Sequence, residues 1–252
     1  MASACTSCHG TGFVLIDGEH GVVTSARCEC ERKGRQSRLA RGANIPDRYQ
    51  HCSYEPWDSG GSFEIHHPSH QAAWELARDW AVQFPAVDQD LLLIGPPGRG
   101  KTHLVVACAR YLIAKKGVRV LFHEQRALLK ALQGTFEQGA GRQESDVLQP
   151  VLDCELLILD DLGAGRTTEW AKDVLHDIIA HRYNEKKHLV VTTNLPLGDD
   201  EPRRRGRGVD APSTLRDRLG DALISRLREM CRIVEIGGLD YRTEILSKKH
   251  RF

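Results

Sequence analysis

Residues 91–102 read LLLIGPPGRGKT, four apolar residues running without a break into Gly95-Pro96-Pro97-Gly98-Arg99-Gly100-Lys101-Thr102. The apolar run predicts a strand buried on both faces. The eight residues after it fit G-x-x-x-x-G-K-[ST], the phosphate-binding loop that joins a strand to the N-terminus of a helix. Gly95, Gly98 and Gly100 allow the backbone to fold back so that successive N–H groups converge on a phosphate. The following stretch, THLVVACARYLIAKK, predicts a helix that contributes its free amides and the positive end of its dipole. Lys101 is expected to reach the β- and γ-phosphates and the Thr102 hydroxyl to hold Mg²⁺, with the binding run extending from Gly95 to His103. A glycine-rich turn with no ligand would need neither that strand before it nor that helix after it. The chain is therefore expected to bind a nucleoside triphosphate.

Downstream, strands and helices alternate, which predicts an α/β domain with a parallel sheet and crossover helices. Gly117 is expected to stop the helix, VRVLF (118–122) to form the next strand and EQRALLKALQGTF the next helix, followed by a loop carrying Gly134, Gly139 and Gly141. LLILDD (156–161) is an apolar strand ending in two carboxylates. Asp160 is read as holding a water of the Mg²⁺ shell, and Asp161 as orienting or deprotonating the attacking water. An amphipathic helix over 168–185 leads to HLVVTTN (188–194), where Asn194, ahead of Thr192 and Thr193, is placed to reach the γ-phosphate. Residues 198–212 carry Arg203, Arg204, Arg205 and Arg207, either a solvated charge run or a grip on a phosphate backbone. A helix (TLRDRLGDALISRLREM), a strand (CRIVEI) and LDYRTEIL complete the domain.

Upstream, HQAAWELARDWAVQF (70–84) sets Trp74, Ala77, Trp80, Ala81 and Phe84 at helical spacing, which predicts core packing. The N-terminus differs in character. Cys5-x-x-Cys8 and Cys28-x-Cys30 flank a stretch that reads as a β-hairpin, and four thiolates on two such knuckles can close a tetrahedron around Zn²⁺. A redox C-x-x-C and a mixed site using His9 or His20 are the rival readings; a redox pair has no need of Cys28 and Cys30. So short a module buries no core of its own, so the metal is expected to supply its folding energy. ERKGRQSRLARGAN (31–44) is basic and polar, a linker or an exposed helix. These boundaries give a cysteine module over 1–34, a linker over 35–68 and an ATPase domain over 69–252. A net charge of +1 confines nucleic-acid binding to local patches. The absence of a long apolar stretch or a secretory leader makes the cytoplasm the expected location, with no membrane partner.

Taken together, CTSC with CEC, IPDRYQHCSYE, GPPGRGKTHL, LLILDDLG, EWAKDVLHDIIAHRYNEKKHLVVTTNLP and SRLREMCRIVEI followed by DYR resemble the DnaC/DnaI-type helicase loaders and the IstB-type transposition ATPases, a branch of the AAA+ family. The resemblance implies a P-loop AAA+ three-layer fold, a parallel sheet with helices on both faces. It implies Asn194 as the first sensor, Arg226 as an arginine finger reaching a neighbouring subunit's γ-phosphate, and Arg242 as the second sensor. A finger donated in trans requires head-to-tail contacts, hence a ring or filament. Asp161, one methylene shorter than the glutamate common elsewhere in the family, suggests slow, switch-like hydrolysis. With ten residues following Arg242, a reduced helical lid is expected. The implied function is loading of the replicative helicase on single-stranded DNA; the alternative is regulation of a transposase on duplex DNA. The cysteine-bearing N-terminus favours the loader.

Overall fold

The computed structural model describes residues 5–17, 23–55, 62–136, 143–165, 168–198 and 214–245. Arg203, Arg204, Arg205 and Arg207, together with Gly139, Gly141, His20 and the Arg242 side chain, lie outside the described residues.

The N-terminal hairpin pairs β1 (Phe13–Asp17) with β2 (Val23–Arg27) antiparallel, Leu15 opposite Ser25. Helix α1 (Glu29–Gly42) starts inside the CEC motif and crosses position 34 without a break, so the basic stretch is a helix and not an open linker. It lies against the main domain, Gln36 Nε2 donating to Ala114 O (2.5 Å) and Arg35 Nη2 to Gly117 O (3.4 Å). Helix α2 (Pro68–Gln83) begins with Pro68, whose missing N–H is free of cost at that position, and His67 caps it by accepting from Ser69 N. Its buried face holds the expected Trp74, Ala77, Trp80 and Ala81, with Phe84 buried just past its end, and adds His70 and Ala73.

Five strands form the central sheet: β3 (Asp90–Ile94), β4 (Val120–Glu124), β5 (Leu156–Asp160), β6 (His188–Thr193) and β7 (Cys231–Glu235). All pair parallel, in the order β4-β5-β6-β3-β7. Period-2 alternation divides their side chains between two cores. Leu91, Leu93, Leu156, Ile158 and Val190 pack with α2 and α3 (Lys101–Tyr111) on one face. Leu92, Ile94, Leu157, Leu159, Leu189 and Val191 pack on the other with α4 (Gln125–Gln133), α5 (Glu144–Asp153), α6 (Glu169–Asn184), α7 (Leu215–Leu219) and α8 (Asp221–Met230). This is the three-layer architecture expected.

Several local expectations are corrected. The glycine-bearing stretch after α4 gives way to α5, which the polar ESD start and Pro150 had hidden; Gln143 and Asp146 close a capping box at its start. The helix expected over 214–230 breaks at Gly220 (φ 85°) into α7 and α8. The second strand begins at Val120 and not at 118, because Gly117 (φ 65°) closes the helix with its N–H on Ile113 O, and the chain needs two residues to turn. Among the described residues no helix is long and apolar enough to cross a membrane.

Candidate nucleotide site and cysteine centre

In this strand order β6 lies between β3 and β5, so three adjacent strands present their C-terminal ends together, where parallel α/β sheets bind ligands. Ile94 is level with Thr193 and Leu159 with Val191, which brings the phosphate loop, the two aspartates and Asn194 to one height.

The loop leaves β3 and re-enters as α3 through backbone that only glycine adopts readily. Gly98 has φ 77° and Gly100 φ 87°; a Cβ at 98 would run into the Asp240 carboxylate, and one at 100 would lie 2.5 Å from Phe63 Cε2. Helix α3 has no side-chain cap at its N-terminus, unlike α2, α6 and α7, so its first amides remain available to an anion. Nε and Nη1 of Arg99 are buried without a hydrogen-bond partner in the same loop. Uncapped amides and orphaned guanidinium donors suit a polyphosphate, so the residues present fit the nucleotide the sequence calls for.

Lys101 is 6% exposed, and its ammonium donates to Gly95 O (2.6 Å), Pro96 O (2.8 Å) and Asn194 Oδ1 (2.6 Å). Asn194 donates through Nδ2 to Asp161 Oδ1, so lysine, asparagine and the second aspartate form one chain. Thr102 Oγ1 donates to Asp160 Oδ1 (2.9 Å), joining the two groups expected to face Mg²⁺. Burial pushes the Asp160 carboxyl above its ordinary range; hydrogen bonds from Thr192 and Thr102 oppose this, and Asp161 and Glu124 reinforce it. A divalent cation would reverse that cost, which is the chemistry expected of a magnesium-facing carboxylate. Asp161 sits at φ 57°, a left-handed turn that aims its side chain away from the strand and toward Asn194.

Three supporting groups are misjudged or missed by a sequence reading. Thr192, ranked below Asn194 on sequence, donates to Asp160 Oδ1 (2.7 Å) and accepts from Asp161 N (2.9 Å), pinning both aspartates. Gln125 accepts from Gly163 N (2.6 Å), and Arg218 donates to the carbonyls of Gly163 and Gly165, fixing the turn after Asp161. Asp240 and Tyr241 form the third, Tyr241 N donating to Gly98 O (3.0 Å) and Tyr241 Oη to Glu64 Oε1 (2.8 Å). The signal for Thr192 was a polar residue near the end of a strand beside the one carrying the carboxylates; the others act from remote segments.

Arg226 stands apart from this cluster. It is half-buried on α8, its Nη1 2.6 Å from His176 Nε2 on α6. His103, last of the binding run, turns to Ser62 Oγ (2.7 Å) and packs against Phe63 and His51.

At the other end of the chain, Cys5, Cys8, Cys28 and Cys30 bring four sulfurs within 4.8 Å of one another, without His9. Cys5 Sγ lies 3.8 Å from Cys28 Sγ and Cys8 Sγ 3.4 Å from Cys30 Sγ. The edge of a tetrahedron with Zn–S bonds of about 2.3 Å is about 3.8 Å, so the spacing suits that ion. Backbone amides of Cys8 and Ser7 draw the Cys5 thiol down to about 6, while the Cys8 and Cys28 sulfurs push Cys30 up to about 12. Sulfurs this close share their negative charge poorly unless a cation stands among them.

Comparison with known proteins agrees with this geometry. The uncharacterised protein YqaM of Bacillus subtilis is 25% identical over 213 residues, 82% of this chain, and the match spans 61% of YqaM. The replicative helicase loader DnaC of Escherichia coli K12 is 25% identical over 186 residues, 73% of each chain. The crystal structure of the DnaC helicase loader superposes with a TM-score of 0.63 and 28% identity, covering 76% of this chain and all of that one. Residues 61–249 match the sequence model of the IstB-like ATP-binding proteins, a family of AAA+ ATPases for which ATP and Mg²⁺ are the implied ligands. The chain belongs to that family, with the DnaC/DnaI helicase loaders among its homologues.

Proposed function

We propose that the chain is an ATP-controlled loader of the replicative DNA helicase that assembles on single-stranded DNA. The observation that carries this reading is the likeness to the whole of the DnaC loader structure, combined with the cluster of Lys101, Thr102, Asp160, Asp161 and Asn194 at the ends of three adjacent strands.

The Gly95–His103 run, Lys101 above all, holds the phosphates, His103 through its backbone N–H while its side chain turns to Ser62, and Thr102 and Asp160 hold Mg²⁺. ATP supplies the phosphoanhydride whose hydrolysis resets the protein, and Mg²⁺ the charge that its phosphates require. One oxygen of Asp161 is tied to Asn194, leaving Oδ2 to take a proton from the attacking water. Asn194 shares its amide between Lys101 and Asp161, so it senses both the phosphate-binding and the hydrolytic group. Its bond to Lys101 must open when phosphates claim the ammonium, which supports slow, switch-like turnover. Arg226, remote from its own chain's cluster, acts on a neighbour's nucleotide, and Arg242 completes the second sensor. Ring or filament assembly follows from that donation.

Cys5, Cys8, Cys28 and Cys30 hold zinc, which stabilises a hairpin with little core of its own. The functional division is a cysteine module at 1–34, a segment at 35–68 that begins within α1 and packs on the main domain instead of hanging as an open linker, and an ATPase domain at 69–252, all acting in the cytoplasm. Phe13, Leu15 and Val23 leave 54%, 77% and 57% of their surfaces in solvent, an apolar face suited to docking the helicase. The test is capture of the purified replicative helicase of the same organism by the full chain with ATP, beside Leu15→Glu. Capture by the wild type that falls at least tenfold in Leu15→Glu, with ATP binding unchanged, is expected. Equal capture by both would discard the docking face. No capture by either would favour the second reading, to which the IstB-like match points: a transposition ATPase that binds duplex DNA and recruits a transposase.

A further inference from the structure

Of the eight cysteines, four lie in the N-terminal centre and four are scattered. Among the scattered ones, three sulfurs are engaged: Cys108 with Tyr54 Oη (3.3 Å), Cys154 with Val151 O (3.4 Å) and Cys231 with Leu189 O (3.3 Å). Cys52 is fully buried, and among the described residues its sulfur makes no hydrogen bond to another residue. What faces it instead is a pair of imidazoles. One ligand atom each from His51, Cys52 and His103 lie within 4.8 Å of one another.

We propose that His51, Cys52 and His103 form a second metal site, for a divalent transition-metal ion of the zinc class, separate from the four-cysteine centre. Two imidazoles and a thiolate are the donor set that borderline-soft ions select over magnesium or calcium. The His103 ring is already oriented, its Nε2 on Ser62 Oγ (2.7 Å) and the ring in T-shaped contact with Phe63 at 5.7 Å, as ligating histidines are held by a partner outside the metal's own ligands. Burial keeps His103 neutral, down at about 4, the form that ligates. His51 is exposed, its ring set edge-on to His103 at 5.5 Å, so the ion enters from its side. Burial holds the Cys52 thiol up at about 12, against the lowering charge of Arg110, so it is the ion that drives ionisation: binding forms an S–metal bond at Cys52 and releases its thiol proton to solvent.

Three protein ligands leave one position open, so this ion exchanges more readily than one closed in by four cysteines. The site would tie the lead-in segment before α2 to the third residue of the helix that starts with Lys101, two positions after the phosphate-binding lysine. It is independent of the helicase reading.

The experiment is a cobalt titration of the full-length protein after brief chelation, read by the thiolate-to-cobalt and d–d absorption bands. Wild type is expected to take up one equivalent more than His51→Ala, whatever the occupancy of the four-cysteine centre. Because His51 is exposed, that substitution leaves the fold intact, which far-ultraviolet circular dichroism checks. Cys52→Ser should remove the thiolate band of the extra equivalent. Equal stoichiometry in wild type and His51→Ala, or an unchanged band in Cys52→Ser, would overturn the proposal.

Discussion

Thr192 is buried to 1% exposure and holds both aspartates of the site, so Thr192→Val removes that grip without opening a cavity. Valine matches threonine in shape, and what is lost is the hydroxyl. The bond to the Asp160 carboxylate, 2.7 Å long and to an acceptor that ionises, contributes about 1.5–3 kcal/mol. The Asp161 N–H, 2.9 Å from the same oxygen, loses its acceptor at a cost of about 1–3 kcal/mol. A total near 3 kcal/mol corresponds to a fall in Tm of roughly 10 °C for a domain of this size. Turnover should fall beyond what stability explains, by at least about tenfold, or 1.4 kcal/mol of barrier. Thr193→Val separates the two effects. Thr193 is equally buried and donates to Leu162 O (2.8 Å) while accepting from Leu195 N (3.1 Å), yet touches neither aspartate. It should lose comparable stability and keep its turnover. Urea denaturation and steady-state ATPase assays of the two variants provide the comparison. Equal loss of turnover in both would refute the assignment of Thr192 to the carboxylates.

Other substitutions test other parts of the account. Burial raises the Asp160 pKa, and a raised folded-state value contributes stability that is present below the ordinary 3.8 and lost as pH rises through the folded value. Asp160→Asn should therefore be more stable than wild type at pH 7 without Mg²⁺, with the gap closing in acid, and should not hydrolyse ATP; a pH-independent gap in melting scans would contradict this. Arg226→Ala should bind ATP normally and fail to turn it over. Mixing it with Lys101→Ala, which supplies an intact finger, should restore part of the rate, and no restoration would sink the trans assignment. Arg182 is fully buried and donates to the carbonyls of Val151, Cys154, Glu155 and His188. Arg182→Met leaves those carbonyls short of donors and should cost at least about 3 kcal/mol in urea unfolding, with ATP affinity per folded molecule unchanged.

The sequence was most readable where chemistry and periodicity coincide. Four apolar residues followed by G-x-x-x-x-G-K-T can be little other than strand, loop and helix, and LLILDD carries both a buried strand and its carboxylates. The convergence of the two cysteine knuckles was legible for the same reason, since their residue type and spacing are those a four-thiolate site requires. The misses fall where long-range contact decides. Helix α5 exists because Val147 and Val151 bury against the sheet and Arg182 reaches across to its end, neither of which a polar start with an internal proline reveals. Thr192 stood on sequence as a lesser candidate for the γ-phosphate, and its role in holding the aspartates depends on the neighbouring strand. Asp240 and Tyr241 meet the phosphate loop only after β7 has paired beside β3. Arg182, polar in a helix of ordinary amphipathicity, gave no sign that it is buried.

The most direct test of an ATP-controlled helicase loader is retention of the replicative helicase on single-stranded DNA, measured with and without the protein. With wild-type protein and ATP, the helicase should be retained. With Lys101→Ala, or without nucleotide, it should not. Retention that is indifferent to the protein and to ATP, together with tighter binding of the protein to duplex than to single strands, would contradict the loader account and leave the transposition reading in its place.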